Sequence, residues 1–98
     1  MKIEKNIENG KVLLTIEGRL DTTTAPELEK ELDSSLVEAT GLVFDMSKLE
    51  YISSAGLRVL LKAQKTMNVQ GNMKVTNVNE SIMEVFEITG FVDILTIE

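Results

Sequence analysis

The stretch Gly41–Leu61, Gly-Leu-Val-Phe-Asp-Met-Ser-Lys-Leu-Glu-Tyr-Ile-Ser-Ser-Ala-Gly-Leu-Arg-Val-Leu-Leu, constrains the fold more than any other part of the chain. Leu42 to Phe44 is a short apolar run closed by Asp45, the pattern of a buried strand. Leu57, Leu60 and Leu61, with Ala63 and Met67 beyond, then recur at helical spacing. A buried strand that feeds an amphipathic helix implies layered α/β packing. Ser53 and Ser54 stand immediately before the helix, where a hydroxyl can accept from the free N–H groups of the first turn. Those N–H groups and the macrodipole also favour an anion. Ser-Ser-Ala-Gly is therefore either an ordinary cap or a place that tolerates a phosphate, and spacing does not choose.

The flanking sequence extends the pattern. Lys2 to Ile7 alternates weakly, as an edge strand does. Asn9-Gly10 is a strong hairpin signal, so the strand Lys11–Glu17 should return antiparallel. It places Val12, Leu14 and Ile16 on one face and Leu13 and Thr15 on the other, and Gly18 is expected to end it. Thr24 with Glu27 three residues later predicts a capping box, and Pro26 fits the first turn of a helix running to about Ser35. Leu28, Leu32 and Leu36 form its apolar stripe beneath a charged face. The helix after Ser54 is expected to reach Met67 or Asn68, followed by a turn at Val69–Asn72 and a short strand, Met73–Val75. Asn79 is the expected N-cap of a third helix carrying Ile82, Val85 and Phe86, and Gly90 its left-handed C-terminal cap. Phe91–Ile97 is expected to close the chain as a strand. The order β-β-α-β-α-β-α-β with an initial hairpin gives a mixed sheet with helices packed on it.

Composition excludes several chemistries. A chain of 98 residues is expected to form one domain, residues 1–98, and 43% hydrophobic residues suffice for its core. Without cysteine there is no disulfide, thiolate catalysis or Cys-ligated metal; without histidine the commonest general base and metal ligand is gone. The net charge of −6 argues against nucleic acid as a partner. No apolar run approaches a membrane span, and Met-Lys-Ile-Glu-Lys is no signal peptide, so a cytoplasmic location is expected. No Gly-rich phosphate loop occurs, so neither a nucleotide nor any other cofactor is expected. Asp21, Asp45 and Glu50 lack the spacing of a magnesium site. Met46, Met67 and Met73 read as core filling in preference to an adaptable binding surface.

Tyr51-Ile52-Ser53-Ser54-Ala55-Gly56-Leu57 resembles the signature of the STAS domain, an apolar residue followed by Asp-Ser-Ser/Thr-Gly-Leu at the start of a helix after a buried strand. Two positions depart from it: Ser53 stands for the Asp and Ala55 for the Ser/Thr before Gly. Gly18-Arg19-Leu20-Asp21 resembles the Gly-x-Leu-Asp of the same family, and the element order matches over essentially all 98 residues. The resemblance implies a stand-alone bacterial anti-sigma factor antagonist, a regulator of transcription that works by partner switching. It places the phosphoacceptor on Ser54, with Ser53 the N-cap and a secondary candidate.

By the same resemblance, the unphosphorylated protein binds an anti-sigma factor that is also a serine kinase, phosphorylation ends the complex, and a serine phosphatase restores it. The implied contact surface comprises Asp21, Thr22, Thr23 and Thr24, the turn Ser53, Ser54, Ala55, Gly56 and Leu57, and Arg58 and Lys62 on the following helix. The protein is then a binder and a substrate and not an enzyme. Read on residues alone, Asp21 is sooner a turn Asp satisfying its own backbone than a functional group. Gly56 either permits close approach of a partner or packs tightly on a neighbouring strand. Two other functions stay open: a phosphorylation-independent accessory or scaffold subunit of a transporter or sensor complex, and a small-ligand-binding module.

Overall fold

The computed structural model describes residues 1–98. Asn9 and Gly10 both take left-handed backbone conformations (φ 52° and 80°), the requirement of a two-residue hairpin turn. They join β1 (Lys2–Glu8) to β2 (Lys11–Leu20) in antiparallel register, with Glu8 opposite Lys11. Gly18 does not end β2. Its φ of 103° makes it a bulge at which the pairing slips by a residue, and the strand continues to Leu20. Over Lys11–Thr15, β2 pairs in parallel with β3 (Gly41–Asp45); from Gly18 to Leu20 it pairs in parallel with β4 (Leu49–Ile52), a strand the sequence reading did not foresee. β5 (Asn72–Thr76) adds in parallel to β3, giving the order β1-β2-β3-β5 with β4 on the far end of β2.

Register sets the layers. Val12 lies beside Leu42 and Leu14 beside Phe44, with Met73 and Val75 next across β3, so six apolar side chains share one face and all are buried. Lys11, Leu13 and Lys74 point to the other face, which is open. The helices α1 (Ala25–Ser35), α2 (Ser54–Gln70) and α3 (Glu80–Thr89) close the buried face through Leu28 and Leu32, through Leu57, Leu60, Ala63 and Met67, and through Ile82 and Phe86. Met46, Met67 and Met73 are all inside, as core filling requires.

Two segments here differ from the sequence reading. α2 runs to Gln70, because the Gln70 side-chain amide donates to the Leu36 and Ala39 carbonyls at 2.6 and 2.7 Å and ties the last turn to the end of α1. Gly71 then lies against Thr40, where a Cβ would come within 1.9 Å of the Thr40 carbonyl oxygen. The expected strand Phe91–Ile97 is a 3-10 turn over Phe91–Asp93 with only a single bridge, Ile97 to Val75. The Ile94 and Leu95 N–H groups both donate to the Phe91 carbonyl, so the chain stays curled until its last residues. Upstream, Asn79 caps α3 by accepting from the Ile82 N–H at 2.9 Å, and Gly90 is left-handed (φ 81°), both as expected.

Candidate functional site

The parallel pairing of β2 with β4 assembles the site. Arg19 lies opposite Tyr51 and Leu20 opposite Ile52, and the Ser53 N–H donates to the Leu20 carbonyl at 2.9 Å. The loop Asp21–Thr24 and the turn Ser53–Leu57 therefore emerge side by side from the carboxyl ends of two parallel strands, where α/β sheets place their functional groups. The two stretches are distant in sequence, and the structure brings them together as the sequence reading required.

The first loop is held from within. The Asp21 carboxylate accepts from the Thr23 and Thr24 N–H groups at 3.0 and 3.2 Å. The Thr24 hydroxyl accepts from the Asp21 N–H at 2.9 Å and donates to the Arg19 carbonyl at 2.8 Å. Thr24 thereby gives up the capping box. Its backbone is already helical (φ −97°, ψ −20°), which turns the hydroxyl back into the loop, and it makes no cap bond to α1. The backbone hydrogen bond from Thr24, the next from Thr23, and the nearby Arg19 guanidinium hold the Asp21 carboxyl below its ordinary range. Arg19 also stacks over the Tyr51 ring, 4.1 Å from its centroid, an arrangement that could not be found without knowing that β4 exists. Asp21 is thus a turn Asp satisfying its own backbone, and it stands beside the serines as well.

The second half divides into exposed and buried members. Ser53 occupies the N-cap position with extended backbone (φ −105°, ψ 178°), but its hydroxyl makes no cap bond, and its Oγ is buried without a partner. The expected Ser53 cap is therefore positional only. Ser54 is the first helical residue and is exposed. Ala55 is half-buried, whereas Gly56 and Leu57 are buried. A Cβ on Gly56 would meet the Leu20 Cγ at 2.7 Å, the Ile52 Cγ1 at 2.9 Å and the Leu20 carbonyl oxygen at 3.0 Å. Glycine is needed here so that α2 can start flush against the ends of β2 and β4, which accounts for the residue by packing. Thr22, Thr23, Arg58 and Lys62 are exposed. Lys62 bridges back to α1, 3.1 Å from Glu29 and 3.8 Å from Asp33, and the Glu29 hydrogen bond, with the Asp33 and Glu29 charges, raises its pKa.

No group of three or more acidic residues is placed to hold a metal ion; Asp45 instead accepts from the Ser47 N–H at 2.9 Å and the Asn77 amide at 3.1 Å. No helix is long and apolar enough to cross a membrane.

Comparison with known proteins agrees with the fold. Among relatives, BtrV of Bordetella bronchiseptica, provisionally named an anti-sigma factor antagonist, is 35% identical over 99% of this chain and 85% of its own. The anti-sigma-B factor antagonist of Bacillus subtilis is 30% identical over 88% of this chain and 80% of its own. Among solved structures, an anti-sigma factor antagonist from Mycobacterium paratuberculosis superposes with a TM-score of 0.88 at 21% identity, over 98% of this chain and 83% of that one. SpoIIAA in its unphosphorylated form gives 0.85 at 15% identity over 99% of this chain and 88% of that one. SpoIIAA of Bacillus in its phosphorylated form gives 0.77 at 15% identity over 99% and 91%. These three structures share the fold of this chain. The STAS domain family model matches residues 2–98, and with relatives of this identity over most of both lengths, the chain belongs to the STAS domain family.

Proposed function

We propose that this protein is an anti-sigma factor antagonist whose binding is switched at Ser54. The observation that carries the reading is the division between the two serines: Ser54 is exposed at the first position of α2, while the Ser53 Oγ is buried. Thr22, Thr23, Arg58 and Lys62 are exposed like Ser54, Arg58 and Lys62 follow it at four-residue intervals along α2, and the relatives named above are described as anti-sigma factor antagonists. Unphosphorylated, this face docks an anti-sigma factor and frees the sigma factor. A kinase activity of that partner transfers the γ-phosphoryl group of ATP to the Ser54 Oγ; the hydroxyl proton and ADP leave. A serine phosphatase returns the hydroxyl by hydrolysis.

The magnitudes favour a switch of binding over a switch of fold. Phosphate adds about −1.5 to −2 charges. At a helix N-terminus it is locally stabilising by about 0.3–1 kcal/mol, whereas an unpaired dianion buried at an interface costs several kcal/mol. Fold is kept and the partner is lost. The test is phosphosite mapping: purified protein is incubated with native cell lysate and ATP, and the modified residue is located by mass spectrometry. Phosphate on Ser54, and none in the Ser54→Ala variant, is the expected result. Phosphate confined to another residue, or none under any condition, overturns the switch. In the latter case the phosphorylation-independent scaffold reading, which the substitution of Ser53 for the family's Asp keeps open, takes its place.

A further inference from the structure

We infer that the carboxyl-terminal unit, α3 with the 3-10 turn packed on it, is a second docking surface, and that its partner is an amphipathic segment carrying Lys or Arg beside an apolar stripe. The distribution of charge points to it. The chain has 10 basic residues, and every one lies at or before Lys74. Beyond it stand Glu80, Glu84, Glu87, Asp93 and Glu98 with no Lys or Arg among them. Glu98 pairs with Lys74 at 3.1 Å; the other four carboxylates are in no ion pair. On α1, by contrast, Glu29, Glu31 and Asp33 are already matched by Lys62 and Lys5, which leaves Glu27 as its one unpaired carboxylate.

Apolar exposure coincides with this unmatched charge. Ile88 in the last turn of α3 is 85% exposed, and Val92 and Ile94, just past the reversal at Gly90, are 42% and 43% exposed. A lone exposed aliphatic needs no explanation, but three within one short stretch, rimmed by free carboxylates, form a surface awaiting a complement. Glu84, Glu87 and Asp93 lack cations, and Ile88, Val92 and Ile94 lack apolar cover; a basic amphipathic helix supplies both. The same charge repels an anionic lipid surface, which leaves a protein segment as the occupant. None of these residues belongs to the loop Asp21–Thr24 or the turn Ser53–Leu57, so the surface is independent of the Ser54 switch.

The test uses the whole protein, isotope-labelled, titrated at physiological ionic strength with a synthetic Lys/Leu amphipathic peptide of about five helical turns. Backbone amide shifts are read by NMR, with α1 as the internal control for charge alone. Saturable shifts centred on residues 84–94 are expected. Ile88→Ser with Val92→Ser should weaken binding at least about tenfold. Glu84→Lys with Glu87→Lys should weaken it comparably, and Ser54→Asp should leave it unchanged. The substituted side chains are exposed, so each variant should keep the dispersed spectrum of the parent. Shifts centred on α1 or spread over both acidic faces, affinity indifferent to the Ile88 and Val92 changes, or no binding at all would each overturn the proposal.

Discussion

At Gly56 two opposed effects meet, and their sizes decide the outcome. Alanine is favoured over glycine inside a helix by about 1 kcal/mol. Here, however, its Cβ would sit 2.7 Å from the Leu20 side chain and 3.0 Å from the Leu20 carbonyl oxygen, which cannot yield without moving β2. Overpacking of this kind costs about 1–3 kcal/mol. Gly56→Ala should therefore lower the urea midpoint; a midpoint at or above that of the parent would show that β2 gives way at no cost. Asp21 makes a prediction of a different kind. Its carboxyl is held below the ordinary value of 3.8, first by the Thr24 N–H. The folded state thus binds fewer protons than the unfolded chain between that lowered value and 3.8. This contribution is present above pH 3.8 and is lost as pH falls through the folded pKa. Asp21→Asn should flatten the acid limb of the stability profile relative to the parent. An unchanged limb would mean that Glu31 and Asp45, lowered chiefly by Ser35 and by the Ser47 N–H, account for all of it.

At the scale of elements, long-range side-chain bonds do what local signals do not reveal. Gln70 closes the carbonyl ends of α1 and the turn that follows it, through partners 34 and 31 residues away. Gln70→Met keeps the bulk but leaves the Leu36 carbonyl with only the Ala39 N–H at 3.3 Å and takes the Gln70 amide from the Ala39 carbonyl, at about 1–3 kcal/mol if the Ala39 carbonyl stays dry. The loss should appear as faster amide exchange at the α1–α2 ends, and protection equal to the parent would show that water replaces the amide. This also marks where the sequence was legible. Asn9-Gly10, Asn79 and Gly90 each carry their conformation in their own chemistry, and all three were read correctly. Gly18 carries the same chemistry as a strand terminator, and only the neighbouring β4 shows that it is a bulge. β4 itself was missed because Leu-Glu-Tyr-Ile buries its two ends and exposes its middle, which is neither alternation nor an apolar run. Thr24 and Glu27 satisfy the capping-box spacing, but Asp21 competes for the loop's N–H groups and prevails.

For the molecule as a whole, parallel pairing of β2 with β4 gathers two separated stretches into one exposed edge, and the site follows from topology. Asp21 and Ser54 were legible because each lies in a recognisable stretch. The burial of the Ser53 Oγ was not, and the choice at Gly56 between partner approach and tight packing rests on Leu20 and Ile52, which meet beside it. Charge is divided along the chain as well: all ten cations lie at or before Lys74, and the acidic residues beyond it have no cation among them. The central claim is that Ser54 governs partner binding, and co-purification from native lysate tests it most directly, with the parent, Ser54→Ala and Ser54→Asp as baits. The parent and Ser54→Ala should retain the same small kinase-like protein, and Ser54→Asp should lose it by about tenfold or more, at least 1.4 kcal/mol of binding. Equal retention by all three baits would contradict the claim and leave Ser54 as the first residue of a helix and nothing more.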